Sequence, residues 1–533
     1  MKLLPLFRSA ALGFLLLSPR LMAEEPARPW VSVSEFGALG QARRVNDGWM
    51  NAGSTTFVSA SAHFTARDEG QPISVLRAGV QDVGELKQVP GAPLTSRIVK
   101  VIDGSTAVLA DSAHQLVTGA LACWGPDETD AIQRAIDSIA ATGGTVYVPP
   151  GLYRLSYRGG PALKIAHSHI HLQGSGPGSM LFNATVLFRA KEKDGQLLTE
   201  QGGVPVLYAG DQKQGIEDVE VDHLWLGDNG QEYSFRNWGP HGPGVLGSAG
   251  KIDRFHFHDL TIETNFLCGV NMNSETAGFE IDHVTVNCSG EHGFYLAGTG
   301  SDGDVHDNCL ASITVPMRQG IAVKKKQRIQ IRHNEIAHVD FQGIGVEGDS
   351  PDYTSRHVLI ADNWLHDLTP WHTEGICLFN AEDVIVRHNR IEDTSWIGIS
   401  LRTSHYPVSN VVLAENVITR AGQMNPCFAI SVNYTRPPGL DPSSPAPGRI
   451  SDVVIEKNVI TDCPNGISVV NATGQNRIER NHVESATVRE TGVAYRIDTP
   501  PEGSSATFGA NASVNYPRSS VGKGISAESN ELH

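Results

Sequence analysis

Glu347 and Asp349 stand two residues apart, and Lys324 and Arg402 occupy the place matching Glu347 one unit before it and two units after it. On an extended strand, two such carboxylates share one face with α-carbons ~6.6 Å apart at ~3.3 Å rise per residue. Inverting hydrolysis of a glycosidic bond uses a carboxylate pair about 6.5–9.5 Å apart, one group as acid and the other as base. A second chemistry fits the same stretch. β-Elimination from a uronate needs a cation to neutralise the sugar carboxylate and a base to take the neighbouring proton. Lys324 and Arg402 offer the charge, and His372, His405 or Tyr406 the base. In the elimination reading Ca2+ is an alternative neutraliser, with Asp302, Asp304 and Asp307 as oxygen donors, although Asp-Gly segments are more often plain turns. Hydrolysis by paired carboxylates calls for no cofactor and no metal. Glu374, Phe379, Trp396, Asn433 and Tyr434 surround these groups, and Trp238 lies in the long loop over 228–250. Aromatic faces and hydrogen-bonding side chains of this kind suit sugar rings. The plainer alternative is a ladder of outward ion pairs that keeps a long β surface soluble.

The elements that position these residues are given by a repeat. A unit of the form apolar-x-x-Asn-x-apolar, followed by a turn and a Gly-Ile-x-Val strand, recurs along the chain. Its copies are Ile331-Arg-His-Asn334-Glu-Ile336, Ile360-Ala-Asp-Asn363-Trp-Leu365, Val386-Arg-His-Asn389-Arg-Ile391, Leu413-Ala-Glu-Asn416-Val-Ile418, Ile455-Glu-Lys-Asn458-Val-Ile460 and Ile478-Glu-Arg-Asn481-His-Val483. The asparagines are spaced 29, 26, 27, 42 and 23 residues apart, and the long interval holds the proline-rich run Pro442 to Pro447, read as a loop between rungs. Each unit has period-2 strands and no helical stretch, so one turn of chain cannot bury its own apolar face and must stack on the next. Such a stack is an all-β, single-stranded right-handed parallel β-helix, a solenoid in which Ile and Val point inward and the asparagines form a ladder. Earlier units, around Leu224, Leu260 and Val284, keep the strands but carry an apolar residue at the ladder position. The last outward position of the Gly-Ile-x-Val strands gives a stripe of Asn273, Ala297, Lys324, Glu347, Phe379, Arg402, Asn433, Val470 and Arg496, flanked by small residues such as Ala322, Gly345, Cys377 and Ser400. Charged and aromatic groups beside a floor of small side chains describe a groove. Glu374 aligns with Gln342, five positions before Glu347, and is expected at the edge of the cleft rather than as its partner.

Ahead of the repeats come Phe36-Gly-Ala-Leu-Gly40, then Asp127-Glu-Thr-Asp-Ala-Ile-Gln-Arg-Ala-Ile136, then Gly143-Gly-Thr-Val-Tyr-Val-Pro-Pro-Gly151-Leu-Tyr153. Asp127 or Thr129 is placed to cap a helix with Ile132, Ile136 and Ile139 on one face, and Gly143 to end it. That helix would plug the open end of the solenoid. With these ordered motifs, residues 31–37 and about 125–498 resemble the rhamnogalacturonase A/B/epimerase-like pectate lyase family of the pectin-lyase-like right-handed β-helix superfamily. The resemblance implies a polysaccharide cleft on the face of one parallel sheet. It carries over no catalytic residue, because the Asn-Thr-Asp, Asp-Asp, Gly-His-Gly and Arg-Ile-Lys series of the polygalacturonase-type hydrolases and the Asp-Pro-His-Asp of the alginate epimerases are missing. One departure is an interruption of about 85 residues between the first two motifs. Within it, Arg97 to Leu109 reads as a hairpin on Asp103-Gly104, part of a small inserted β subdomain.

Lys2 and Arg8 precede the apolar stretch Ala10 to Leu17, and a small-residue cut after Ala23 completes the pattern of a secretory signal peptide. The expected organisation is 1–23 signal peptide, 24–125 N-terminal segment with the inserted subdomain, 126–498 β-helix and 499–533 a weakly ordered tail, in a secreted or periplasmic protein without a membrane span. Seven cysteines are too odd a number for a full disulfide framework and contain no CxxC pair, so most are expected as small buried hydrophobes. With 42 Lys+Arg against 58 Asp+Glu, the formal charge of −16 argues against a nucleic-acid partner. The expected partner is a pectin-like or other uronate-containing polysaccharide, cleaved by hydrolysis. The alternatives are a polysaccharide lyase and a non-catalytic glycan-binding or surface-attachment β-helix. Oligomeric state is left open.

Overall fold

The computed structural model describes residues 29–532 except 84–85, 157–160, 186–188, 194–195, 201–205, 211–213, 229–245, 249, 264–267, 289–290, 312–316, 349, 370–371, 404–405, 424–426, 435–448, 487–491, 499–502, 517–518, 524–525 and 529–530. The expected signal peptide, Trp238, Asp349, His405 and the proline-rich loop therefore lie outside the described residues, as does the side chain of Tyr434.

One turn of the chain shows the plan. Gln327–Arg332 joins a long sheet, Glu335–Ala337 a sheet of short strands, and Val339–Val346 a third sheet that carries the stripe described above. Each strand pairs in parallel with its counterpart one turn on, Ile331 opposite Ile360, Ile336 opposite Leu365 and Ile344 opposite Ile376. Among the described residues the long, short-strand and groove sheets hold 15, 14 and 13 strands. Ile329, Ile331, Ile336, Ile344 and Val346 are all buried in one continuous core. The fold is the expected all-β parallel solenoid.

A sharp corner separates the long strands from the short ones. His333, Asp362, His388, Glu415 and Lys457 sit there in the left-handed region, with φ of 54°, 58°, 55°, 57° and 55°. That conformation is unfavourable for a side chain with a Cβ, and the asparagine that follows offsets it. Asn334, Asn363, Asn389, Asn416, Asn458 and Asn481 form an unbroken chain of amide bonds of 2.9–3.0 Å. The ladder also extends one step at each end, from Asn308 to Asn334 at 2.9 Å and from Asn481 to Asn511 at 3.0 Å. Asn389 is fully buried. It donates to Ile360 O and Arg387 O and accepts from the Asn363 backbone. Asn389→Ala leaves these groups without partners inside the core, so the chemical unfolding midpoint should fall by an amount equivalent to about 2–5 kcal/mol. A loss under ~0.5 kcal/mol would mean that the ladder is not what holds the corners.

At the N-terminal end the helix Thr129–Ser138 caps the solenoid, with Ile132 and Ile136 fully buried in the main core. Its N-cap is Glu128 rather than Asp127 or Thr129. The Glu128 carboxylate instead accepts from the backbones of Leu39 and Gly40 at 2.5 and 2.9 Å, fastening the Phe36 to Gly40 segment to the cap. Asp127 still accepts from Thr129 N at 3.2 Å, and Gly143, at φ +68°, donates to Ile139 O at 2.8 Å. The insertion is a closed barrel of the strands Arg43–Met50, Thr56–Val58, Pro72–Val83, Leu86–Asp103, Thr106–Leu109 and Val117–Trp124. Phe57, Ile73, Ile98 and Trp124 give it its own core. The Asp103-Gly104 hairpin is one corner of this barrel, closed by a 2.8 Å bond from Ser105 N to the Asp103 carboxylate.

The stretch 499–533, expected to be a weakly ordered tail, carries strands Ser505–Gly509, Ala512–Val514, Ser519–Val521 and Ser526–Glu528, which prolong all three sheets. Its Ser- and Gly-rich composition hides the repeat because small residues replace Ile and Val at inward positions. Cys123, Cys268, Cys377 and Cys463 are buried free thiols, in the place of small buried hydrophobes as expected. No helix of the described residues is long and apolar enough to cross a membrane.

Candidate active site

The groove sheet aligns its outward residues in columns. One column runs Asn273, Ala297, Lys324, Glu347, Phe379, Arg402, Asn433 and Val470, as the neighbouring register pairs and the backbone bonds Lys324 N to Leu296 O, Glu347 N to Val323 O and Phe379 N to Val346 O require. Arg496 does not belong to it. That residue pairs with Ser468, in the adjoining column of small residues.

A third outward column was not expected. His292, Gln319, Gln342 and Glu374 pair in register and each precedes a glycine. By strict alternation they would point inward with Ile344 and Ile376. The glycine breaks the alternation because it takes an inward position of its own: a Cβ on Gly343 would stand 2.5 Å from Leu365 Cδ2 and 2.7 Å from Gly375 O, with no space to receive it. Gln342 is thereby turned to the outer face. A Cβ on Gly345 in the small column would stand 2.5 Å from Gln342 Oε1 and 3.0 Å from Gln319 Nε2, so these amides lie across the floor that the small residues make.

Columns and floor join into one hydrogen-bonded network. Lys324 Nζ is 3.4 Å from Glu347 Oε1, and Gln319 Nε2 donates to the same oxygen at 3.2 Å. Gln319 also donates to Gln342 Oε1 at 2.5 Å, while Gln342 Nε2 donates to Glu374 Oε2 at 3.1 Å. Arg402 Nη2 meets that Glu374 oxygen at 3.1 Å. His292 Nε2 lies 2.5 Å from Gln319 Oε1. Glu374, placed at the cleft edge by sequence, is instead a fully buried member of the network, connected to Glu347 through two glutamines. Its Oε1 makes no hydrogen bond among the described residues. Side-chain exposure differs sharply along the chain of contacts: 6% for Lys324, 18% for Glu347, 0% for Glu374 and 35% for Arg402. Solvent therefore reaches Glu347 and Arg402, and their partners support them from below.

Aromatic rings frame this line. Arg402 lies 5.9 Å from the centroid of Phe341 and 5.8 Å from that of Trp396, and His372 packs on Trp396 at 5.1 Å. Lys324 Nζ is 5.6 Å from the ring of Tyr295. Burial, with Cys268 and Glu347 nearby, pushes the Tyr295 phenol above its ordinary range, so it keeps its proton. Burial first, and Glu374 next, likewise hold the Cys377 thiol protonated. Phe379 and Trp396 are half-buried and Asn433 exposed in the same groove. Tyr406 is half-buried just after the Arg402 strand, where its backbone binds the Thr403 hydroxyl. Tyr295, His292, Gln319, Gln342 and Phe341 were not picked out by sequence. The signal for the column was the x-Gly-apolar-small-apolar pattern.

Asp302 and Asp304, the suggested oxygen donors, belong to the long sheet and face arginines. Asp302 pairs with Arg328 at 2.6 and 2.8 Å and Asp304 with Arg332 at 3.1 and 2.8 Å, while Asp307 takes His306 Nδ1 at 2.7 Å. A concavity of ≈ 540 Å³ also lies on the long sheet, over His171, Glu220 and His256, away from the groove network.

A family profile described as "Right handed beta helix region" matches residues 268–483. The chain is a right-handed parallel β-helix protein. Solved structures of similar fold include the A-module of the mannuronan C-5 epimerase AlgE6 of Azotobacter vinelandii, at 14% identity over 76% of this chain and 96% of that one, with a TM-score of 0.49. The surface adhesin PfbA of Streptococcus pneumoniae gives 14% identity over 76% of this chain and 88% of that one, with a TM-score of 0.42. The catalytic unit of an α-1,3-glucanase of Streptomyces thermodiastaticus gives 13% identity over 90% and 89%, with a TM-score of 0.41. No curated protein matches the sequence. At such identities the likeness is one of fold, and fold does not choose a function for this β-helix.

Proposed function

We propose that this β-helix is an exported enzyme that lays a polysaccharide along its groove sheet and hydrolyses a glycosidic bond there. The observation that carries the reading is Glu347: a carboxylate open to solvent, fixed from below by Lys324 and Gln319, in a row with an arginine set between two aromatic rings. Glu347 and Asp349, two residues on, are the acid/base pair. Arg402, held in place by Glu374, offers its guanidinium edge to sugar oxygens or to a uronate carboxylate. Phe379, Trp396 and His372 supply faces for sugar rings, and Asn433 and Tyr406 hydrogen-bonding groups further along. Within the network each cation already faces a carboxylate, Lys324 with Glu347 and Arg402 with Glu374. That balance leaves no surplus positive charge to acidify a uronate, which favours hydrolysis over elimination.

The test is incubation of the mature protein with a panel of neutral and uronate-containing polysaccharides, reading new reducing ends and unsaturated-uronate absorbance together. New reducing ends without the absorbance are expected. Both signals together would replace hydrolysis with elimination and move the chemistry to Lys324, Arg402 and a nearby base. Tight binding without cleavage of any substrate would make the groove a glycan-binding surface.

A further inference from the structure

The long sheet carries, on its outer face and away from the groove, rows of imidazoles and carboxylates that alternate from turn to turn. His171 pairs in register with Glu220, Glu220 with His256 and Asp222 with His258. Stacked ~4.8 Å apart, these side chains converge. His171 Nε2 is 2.6 Å from Asp222 Oδ2, and His258 Nε2 is 3.3 Å from that oxygen and 3.1 Å from Glu220 Oε1.

We propose that His171, Glu220, Asp222 and His258 form a binding site for a divalent transition metal of the zinc class. Two imidazole nitrogens and two carboxylate oxygens are a donor set that suits zinc and disfavours calcium, which takes oxygens alone. Donors ~2.0–2.1 Å from a tetrahedral ion stand about 3.4 Å apart, close to the 3.1 and 3.3 Å seen around His258. The 2.6 Å between His171 Nε2 and Asp222 Oδ2 is a hydrogen bond that an entering ion would replace, moving the two atoms apart. The other nitrogen of His258, Nδ1, lies 2.8 Å from Asp259 Oδ2, the arrangement that places the proton on Nδ1 and leaves Nε2 free to bind a metal. Asp222 is 2% exposed and keeps its charge among His171, His258 and His223, so a carboxylate is available as a ligand. His223 Nδ1 lies 3.0 Å from Asp222 Oδ1 and holds that oxygen from the side away from His171 and His258. His171 and Glu220, with side chains 22% and 42% exposed, open the cluster to solvent on the side of the ≈ 540 Å³ concavity that they line, and Asp222 and His258 lie beyond its edge.

The location has a structural logic. The asparagine ladder begins at Asn308, and the earlier corners carry Leu224, Leu260 and Val284 instead. A metal bridging three successive turns would staple the solenoid just where the amide ladder is missing. The competing account is a metal-free cluster in which His258 is an imidazolium between carboxylates.

Titration calorimetry of the untagged, chelator-treated protein with Zn2+ at pH 7.5 separates the two. Binding of one ion per chain with Kd at or below ~1 μM is expected, together with a rise in Tm. His171→Ala and His258→Ala should each weaken it by at least 100-fold, and Asp259→Ala, an orienting change, by about 10–100-fold. His283→Ala, a histidine one turn further on, should leave it unchanged. Absence of Zn2+ binding to the wild-type protein overturns the proposal without any variant. Binding of the same stoichiometry and affinity in His171→Ala and His258→Ala would overturn it too, by assigning the ion to other histidines.

Discussion

Replacing Glu347 by Gln should lower turnover of the cleaved polysaccharide by about 10²–10⁴-fold, the contribution of a positioned acid or base, with binding changed by no more than a few-fold. The substitution keeps the side chain's size and its acceptor oxygen toward Lys324 and Gln319, and removes the group that exchanges a proton. Glu374→Gln should behave differently. Glu374 is fully buried and its Oε2 receives both Gln342 Nε2 and Arg402 Nη2. Loss of its charge releases Arg402 from a partner that is out of solvent, so KM should rise about tenfold or more while kcat falls less. Asp349→Asn completes the comparison, with a loss of kcat like that of Glu347→Gln. The pattern across the three variants carries the assignment. If Glu374→Gln abolished kcat with KM unchanged while Glu347→Gln remained active, the reacting carboxylate would be Glu374, and the exposure argument would fail.

The solenoid was legible because stacking forces regularity. A turn of chain that cannot bury its own apolar face must match the next, and the six asparagines and the Ile and Val positions of the units record that match. Asn308 follows the same pattern in Val305-His-Asp-Asn308-Cys-Leu310, and Asn511 escapes it only because Ser513 stands where the repeat has an apolar residue. The Lys324, Glu347 and Arg402 column could also be read from strand alternation. The column of Gln319, Gln342 and Glu374 could not, because alternation fails at Gly320, Gly343 and Gly375, where the chain tightens against the short-strand sheet. A one-residue break reverses the face of every residue before it. The five-position offset from Glu347 points to the cleft edge for Glu374, whereas Gln319 and Gln342, turned outward by the same break, bridge that offset and bring it into the network. The imidazole and carboxylate rows of the long sheet had no such obstacle. Their residues are about 36 to 51 positions apart in sequence, and only the register of the stacked turns brings them together.

Lys326→Met should be more stable than the wild-type chain near pH 7, and that advantage should shrink as pH rises from about 7 to 10. Lys326 is fully buried, and burial pushes its ammonium down to about 7. Its Nζ donates to Thr276 Oγ1 at 2.6 Å, Ser274 O at 3.2 Å and Thr299 O at 3.3 Å, and no carboxylate pairs with it among the described residues. In the unfolded chain a lysine holds its proton up to about 10.4. Between these two values the unfolded state binds one proton more than the folded state, so each unit of pH adds up to about 1.4 kcal/mol of stability. Below pH 7 both states are protonated, and the full penalty of the buried charge, about 5 kcal/mol at most, is present and constant. The three oxygens that receive the ammonium reduce this figure, since hydrogen bonds to the charged form favour it. Lys326→Met fills the same volume without a charge, so the difference in unfolding free energy between variant and wild type should be greatest near pH 7 and shrink toward pH 10. Other groups titrate over that range in both proteins and cancel in the difference. A difference that stays flat from pH 7 to 10 would mean that the three acceptors hold Lys326 charged at its ordinary pKa, and that this turn of the solenoid accommodates a buried cation at no cost that pH can reveal.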